Sequence, residues 1–372
     1  MDMAAPGSPL PSESEFVVVG AGLLGLSTAW HLARRGREVA VLERATIGHC
    51  GGGSHGSCRI FRLGYDDPRY VELATLALPL WRELETETGS DLLTTTGQVT
   101  FGPGLDRLQA ALRQAGAPAE MWTAAEVAGC FPEVTAGGPV LFEPSSGVIH
   151  AEGTLRALRF GVEGRLHESV QVLDIHDDGR AVKVVTDAGV LTASVTVCCA
   201  GPWSGPLLAG AGIGLNLSTS LEQVAYFAAA HPISTPMPVI VERGQPMLYG
   251  LPTPDRRAFK VGRHHGGPPL SPDEADLAPD PAEDRRLAAG VNRLLPGFDP
   301  CPVRSERCFY DNSPDEDFVI DRVGRVTFGA GTSGHGFKFG PLLGELLADL
   351  AEGRTPRSPT TWLNSSRPGI RI

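Results

Sequence analysis

Lysine is almost missing from this chain of 372 residues: of 32 basic side chains only Lys183, Lys260 and Lys338 are lysines, and the rest are arginine. The two cations differ in shape, hydration and ease of deprotonation, so each lysine needs a reason. Basic charge is also short, with 32 Lys and Arg against 43 Asp and Glu and a net charge of −11, which disfavours a nucleic-acid binder. No apolar run reaches the ~18 residues of a membrane-spanning helix, so no membrane partner is expected. Seven cysteines, an odd number with Cys198 and Cys199 adjacent, make no disulfide framework. They point to a reducing compartment, and a cytoplasmic location is expected. The stretch 1–14 has neither a basic start nor an apolar segment and is expected to be a disordered tail rather than a secretory signal. Arg34-Arg35 closes a helical pattern and is no twin-arginine signal.

With 42% hydrophobic and 20% charged residues the chain is not disordered, and its length predicts two domains. The apolar run 16–20 ends in glycine like a buried parallel strand, the pattern predicts a helix over 23–36, and 38–43 is a second apolar strand. The chain therefore opens as a βαβ unit. A Gly/Ser-rich loop follows at 49–57. Helices are expected over 70–88, interrupted by Pro79, and over 105–115, 124–128, 153–162, 282–295 and 337–351. Strands are expected at 97–102, 169–175, 181–186, 193–199, 218–229, 238–242, 247–251, 258–262, 303–310, 318–321 and 326–329. The Pro/Asp-rich stretch 268–281 reads as a surface excursion.

Gly20-Ala-Gly22-Leu-Leu-Gly25 is a G-x-G-x-x-G motif joining strand to helix, with the acidic Glu43 closing the next strand. That context defines a dinucleotide fold. Gly20 makes the turn, Gly22 admits a pyrophosphate to the helix N-terminus, Gly25 lets helix and strand close up, and Glu43 is placed to accept ribose hydroxyls. The fingerprint alone does not separate NAD from FAD. The chain leaves the βαβ unit for a Gly-rich loop instead of a third strand, which favours FAD.

Arg59 and Arg62 follow this loop. If their segment is helical they face one side, and Arg62 is suited to fork onto a carboxylate. Gly52-Gly-Ser54-His-Gly56 matches the hydrolase G-x-S-x-G, but 45–51 is no strand, so a serine hydrolase remains only a distant alternative. His49, Cys50, His55 and Cys58 fit no zinc spacing, and no metal is expected. Lys260 lies in a β pattern among apolar neighbours, where lysine is costly unless used. Lys338 falls at the start of the last predicted helix, where a cation opposes the dipole unless an anion holds it.

With these motifs assembled, the chain resembles the monomeric sarcosine oxidase and N-methyltryptophan oxidase group of D-amino-acid-oxidase-like FAD enzymes over about residues 15–365. The resemblance is carried by GAGLLG, GSHGSCRIFR, YG…FKVGRHHGG, CFYDNSPDEDFVID and SGHGFKF. It implies an α/β fold with a Rossmann-like FAD domain (15–90, 148–216, 309–372) and a sheet-based substrate domain (91–147, 217–308). It implies FAD bound covalently through Cys308, Lys260 assisting oxygen reduction, and Arg59 stabilising the reduced flavin. Arg62 and Lys338 would hold a substrate carboxylate, and Tyr249, His264 and Tyr310 would line the pocket. Cofactor contacts would come from Gly20, Gly22, Leu24, Gly25, Glu43, Arg44, Ser54, His55, Ser57, Cys58, Arg59, Val170, Gly201, Trp203, Gly334, Gly336, Phe337 and Lys338. Ser54, Cys58, Ile240 and Arg263 depart from the group's usual side chains, which leaves the substrate open. The implied reaction oxidises a secondary amino acid, N-methyl or cyclic, to an imine, with O2 reduced to H2O2; the sequence leaves the oligomeric state open, with a monomer favoured. Its rivals are a cyclic imino-acid oxidase or dehydrogenase of a biosynthetic pathway and a non-catalytic dinucleotide sensor.

Overall fold

Val17 and Val18 are fully buried in the strand Glu13–Val19, which lies between Gly189–Cys198 and Val39–Glu43 and runs parallel to both. A strand flanked on both edges and covered on both faces has no polar side to show, hence the unbroken apolar run. The computed structural model describes residues 10–231, 233, 236–356 and 360–372. The expected tail falls largely outside the described residues, but its end is ordered. Glu13 and Ser14 already pair with Thr192 and Ala193.

The described residues divide into two compact units, one formed from segments within Met1–His55, Leu155–Ser220 and Phe309–Ile372, the other from Gly56–Thr154 and Leu221–Cys308. In the first, strands run in the order Val172–Asp177, Val182–Thr186, Gly189–Cys198, Glu13–Val19, Val39–Glu43 and Leu166–Glu168. The C-terminal half of Gly189–Cys198 also pairs in parallel with Val326–Ala330, which in turn pairs with Val319–Val323. The helix Leu23–Arg34 packs closely on Gly340–Ala351, since a Cβ on Gly344 would meet the Ser27 Oγ at 2.2 Å. His31 lies in this seam with its Nε2 3.1 Å from the Pro341 carbonyl, and burial pushes it down to about 3, so it stays neutral.

The second unit holds an eight-stranded sheet in the order Phe298–Asn312, Ser218–Ala229, Ala258–His264, Met247–Pro252, Val239–Glu242, Gln98–Phe101, Val140–Glu143 and Glu120–Trp122. The helix Pro281–Leu294 covers one face through Leu287 and Val291, over Phe259 and Phe298. A small second sheet joins Cys58–Phe61, Gly147–His150 and Leu93–Thr95. These short strands lack a readable period, and this pairing draws 56–90 and 148–154 into the second unit, whereas the sequence placed them with the dinucleotide domain.

Pro79 does not interrupt its helix, which runs unbroken over Pro68–Thr88 between an Asp67 cap and a left-handed Gly89. A mid-helix proline costs about 3 kcal/mol. Tyr70, Val71, Leu73, Trp81 and Leu84 on the buried face outweigh it, at roughly 1.5–3 kcal/mol per large apolar side chain. Among the described residues, no helix is long and apolar enough to cross a membrane.

Candidate active site

In the first unit Gly20 turns at φ +94° and donates its N–H to the Leu42 carbonyl at 2.8 Å. Its absent Cβ would stand 2.5 Å from the Cys199 carbonyl oxygen, and one on Gly25 would stand 1.8 Å from the Gly20 oxygen. Neither position tolerates a side chain. Gly22 caps the helix Leu23–Arg34 with no side-chain hydrogen bond, and no acid occupies the first turn. A Cβ there would meet only the Ser54 side chain, whose Oγ accepts the Leu23 N–H at 3.1 Å. An N-terminus with no acid in its first turn and only a small hydroxyl at its approach is what a pyrophosphate requires. Ser54 has no strand before it and serves this loop, so the hydrolase elbow is absent. We expect Gly25→Ala to lose bound flavin and about 1–3 kcal/mol of stability through overpacking. Flavin absorbance and a thermal melt check this, and a flavin-replete variant of unchanged Tm would contradict it.

The Glu43 carboxylate accepts the N–H groups of Ala21 at 2.8 Å and Ala45 at 3.0 Å, with His49 at 3.4 Å. Burial alone would raise its pKa, but these bonds hold it below the usual carboxylate range, so it stays an acceptor. Val170 donates to the Glu43 carbonyl, and the Arg44 guanidinium lies 4.2 Å over the Trp203 ring, beside Gly201 in the turn Gly201–Trp203. His55 is buried.

The C-terminal Gly run folds against the Tyr310 ring, which a Cβ on Gly334 would strike at 2.0 Å. Lys338 is not in a helical first turn. It lies in the 3-10 turn Phe337–Phe339, because Pro341 opens the α-helix Gly340–Ala351, whose N-cap is Phe339. Its ammonium, in a side chain 6% exposed, donates to the His335 carbonyl at 2.7 Å.

In the second unit Arg59 lies in the strand Cys58–Phe61, opposite Ile149, so a shared helical face with Arg62 is ruled out. A strand alternates its faces, and Arg62, just past its end, instead lies 4.9 Å over the Tyr65 ring. The Tyr65 hydroxyl is pushed up to about 12 by burial, against the pull of Arg62. Behind this turn the buried Glu143 accepts the Gly64 N–H at 2.7 Å.

Lys260, 3% exposed, donates to the Cys58 carbonyl at 3.0 Å, and Arg59 donates to the same oxygen at 2.9 Å. Two cations on one carbonyl make an electropositive spot. Burial, then Arg59, lowers the Lys260 ammonium to about 8. Cys308 belongs to this group: burial raises its thiol, while Arg59 and Lys260 pull it down. Tyr249 stands opposite Gly262, where a Cβ would meet its hydroxyl at 2.6 Å, and with Ile240 it lines an apolar pocket. The His264 ring lies 4.2 Å from that of His265. Arg263 forks onto Glu283 with both bonds at 2.6 Å. Tyr226 and Glu306, next to this cluster, were not singled out from sequence. Glu306 carries a readable signal, two residues before Cys308 on one strand.

The first unit is thus a dinucleotide-binding module and the second bears a buried cationic centre beside a thiol. Residues 15–350 match the family described as FAD dependent oxidoreductase. The chain is 33% identical over 356 residues to the peroxisomal sarcosine oxidase of Mus musculus, covering 90% of this chain and 91% of that protein. It is 30% identical over 380 residues to the monomeric sarcosine oxidase of Bacillus sp. (strain B-0618), covering 96% and 97%. NikD, an unusual amino acid oxidase essential for nikkomycin biosynthesis, has the same fold with a TM-score of 0.87 at 28% identity, over 95% of this chain and 98% of that one. The chain belongs to the FAD dependent oxidoreductase family, as the resemblance implied. Gly20, Gly22, Gly25 and Glu43 fit the dinucleotide end of FAD, and the Lys260–Arg59 pair fits an electron-rich ring.

Proposed function

We propose that the protein is an FAD-dependent oxidase of a secondary amino acid, N-methyl or cyclic, using O2 and releasing H2O2. The observation that carries this is the buried Lys260, fixed with Arg59 on the Cys58 carbonyl beside Cys308. FAD supplies the two-electron chemistry when bound, drawing hydride equivalents from the C–H next to the substrate nitrogen. Gly20, Gly22, Leu24 and Gly25 present the helix N-terminus to the pyrophosphate, and Glu43 anchors the ribose. Arg44, Val170, Gly201 and Trp203, with Ser54, His55, Ser57 and Cys58, complete the cradle, and Gly334, Gly336 and Phe337 frame the ring. Arg59 supplies a fixed positive charge to it. Arg62 and Lys338 hold the substrate carboxylate, while Tyr249, His264 and Tyr310 surround the substrate. The first unit is the FAD domain and the second the substrate domain of a monomeric, cytoplasmic protein.

The oxidation of sarcosine by two relatives at 30–33% identity supports the N-methyl reading. The likeness to NikD favours, as a second reading, a cyclic amino acid in a biosynthetic setting. A panel of N-methyl and cyclic secondary amino acids with peroxide readout decides between them, and no peroxide from any member would refute both.

Cys308 is the proposed covalent attachment point of the flavin. Acid-precipitated protein is expected to keep its yellow colour in the pellet, and Cys308→Ala to release it. Flavin recovered wholly in the supernatant from the unaltered protein would refute the linkage while leaving FAD binding intact.

A further inference from the structure

We infer that Glu306 is the proton acceptor that lets Cys308 form its bond to the flavin. The inference rests on the covalent linkage proposed above.

Glu306 and Cys308 lie two residues apart on the strand Phe298–Asn312, and in a strand that spacing returns side chains to the same face. The Glu306 carboxylate accepts the Tyr226 hydroxyl at 2.8 Å, and the Ser57 hydroxyl lies 3.3 Å from the same phenol. Arg304 brackets the pair, 3.3 Å from the carboxylate and 4.1 Å over the Tyr226 ring. Gly56, at φ +94°, keeps the approach open. A Cβ there would stand 3.1 Å from the Glu306 Oε2, 3.4 Å from the Arg59 Nη1 and 3.6 Å from the Tyr226 hydroxyl. Carboxylate, guanidinium and phenol thus converge on one point, and the first two also act electrostatically on the Cys308 thiol.

A base is required because the thiol is not ionised in its resting state. Burial raises its pKa, Glu222 and Glu306 add to this, and Arg59 and Lys260 only partly offset it. The groups facing Cys308 are Arg59, Lys260, Glu222 and Glu306, with Cys58, Tyr226 and Arg304 around them. Burial above all, aided by the Glu306 charge, pushes the Tyr226 hydroxyl up, so it stays a donor and is not itself the base. Glu222 is the other nearby carboxylate, but it lies on the strand Ser218–Ala229, 2% exposed and bound to the Gly267 N–H at 2.8 Å, whereas Glu306 shares the strand of Cys308 and is bonded to a hydroxyl that can relay a proton. Glu306 is left as the acceptor, with Tyr226 and Ser57 as hydroxyls through which a proton can pass on.

In the linkage step the sulfur–carbon bond forms as the thiol S–H and one C–H of the ring methyl break. The electron pair remains in the flavin, which is left reduced and carrying both protons. O2 then removes two electrons and two protons as H2O2. Glu306 carries the thiol proton between sulfur and its destination.

The test uses the full chain prepared without flavin, supplied with FAD, and read by acid-stable flavin against time. Non-covalent FAD uptake, measured in parallel by quenching of flavin fluorescence, reports folding. Glu306→Gln keeps the hydrogen-bond acceptor and removes the basicity. It is expected to bind FAD yet link it at least 10-fold more slowly at neutral pH, with the rate recovering as pH rises and hydroxide ionises the thiol. Glu306→Asp should restore part of the rate, and Glu222→Gln should link normally. Should Glu306→Gln fail to bind FAD, Tyr226→Phe is read instead, and its linkage is expected to slow with FAD uptake retained. Linkage at the unaltered rate in Glu306→Gln, a deficit that no pH rescues, or a deficit confined to Glu222→Gln each overturns the assignment. An unaltered protein that binds FAD but never links it refutes the covalent reading, and this inference falls with it.

Discussion

Lys260→Met is expected to slow reoxidation of the reduced flavin by O2 about 10²–10³-fold, the usual effect of removing one preorganised electrostatic stabiliser, while reduction by substrate changes only a few fold. As O2 accepts electrons it becomes negative, and an ammonium held in a dry site stabilises that charge far more than water would. The geometry supports this role, because the Lys260 Nζ is fixed on the Cys58 carbonyl at 3.0 Å with the side chain 3% exposed. The pH dependence follows in sign. The ammonium persists below its lowered pKa of about 8 and is lost as pH rises through it. Oxygen reactivity of the unaltered protein should therefore fall across that window, and the Met variant should be flat there. Lys260→Arg should be partly active, since it keeps the charge but changes reach and hydration. Rapid mixing times the two half-reactions separately. A Met variant that reoxidises at the unaltered rate would make Lys260 a structural lysine with its stem packed in the sheet.

Removing either member of the proposed carboxylate clamp, Arg62→Ala or Lys338→Ala, should weaken substrate binding by roughly 2–5 kcal/mol, the cost of stranding a buried charge. That corresponds to about 30- to 5,000-fold in affinity. Both cations are held in place before substrate arrives, Arg62 over the Tyr65 ring and Lys338 on the His335 carbonyl. Each therefore offers charge without paying the full entropy of ordering a long side chain. The decarboxylated amine should be a poor substrate of the unaltered protein. Substrate titrations followed by flavin absorbance measure both effects. Equal turnover of acid and amine would reassign the site to a simple amine oxidase.

What the sequence disclosed depended on how far each signal reached along the chain. Gly20, Gly22, Gly25 and Glu43 were legible because one local motif joins a strand, a helix and a strand in register. Lys260 and Lys338 stood out through rarity, in a chain that otherwise writes arginine. The strand Cys58–Phe61 was not legible, since its four residues pair with Gly147–His150 some ninety positions later and carry no period of their own. The same long-range pairing set the unit boundary near residue 55, not near 90. Pro79 misled for the opposite reason: a strong local breaker is overruled by the buried face of a 21-residue helix. The environment of Cys308 was hidden as well, because Tyr226 lies on a neighbouring strand and its hydrogen bond to Glu306 spans 80 positions.

The parallel pairing of Glu13–Val19 with Gly189–Cys198, and of that strand with Val326–Ala330, bears on how the protein is made. During synthesis Val39–Glu43 follows the fingerprint glycines directly, but Gly189–Cys198, on the other edge of Glu13–Val19, follows only after some 170 residues. The helix Gly340–Ala351 that packs on Leu23–Arg34 emerges only after all of these strands. The dinucleotide cradle is therefore completed only once residues 326–351 have emerged, and until Gly189–Cys198 is made the strand Glu13–Val19 has one of its two edges unpaired. Ribosome-bound chains stalled before residue 326 should accordingly be easily cut by protease between residues 13 and 43 and gain no protection from added FAD.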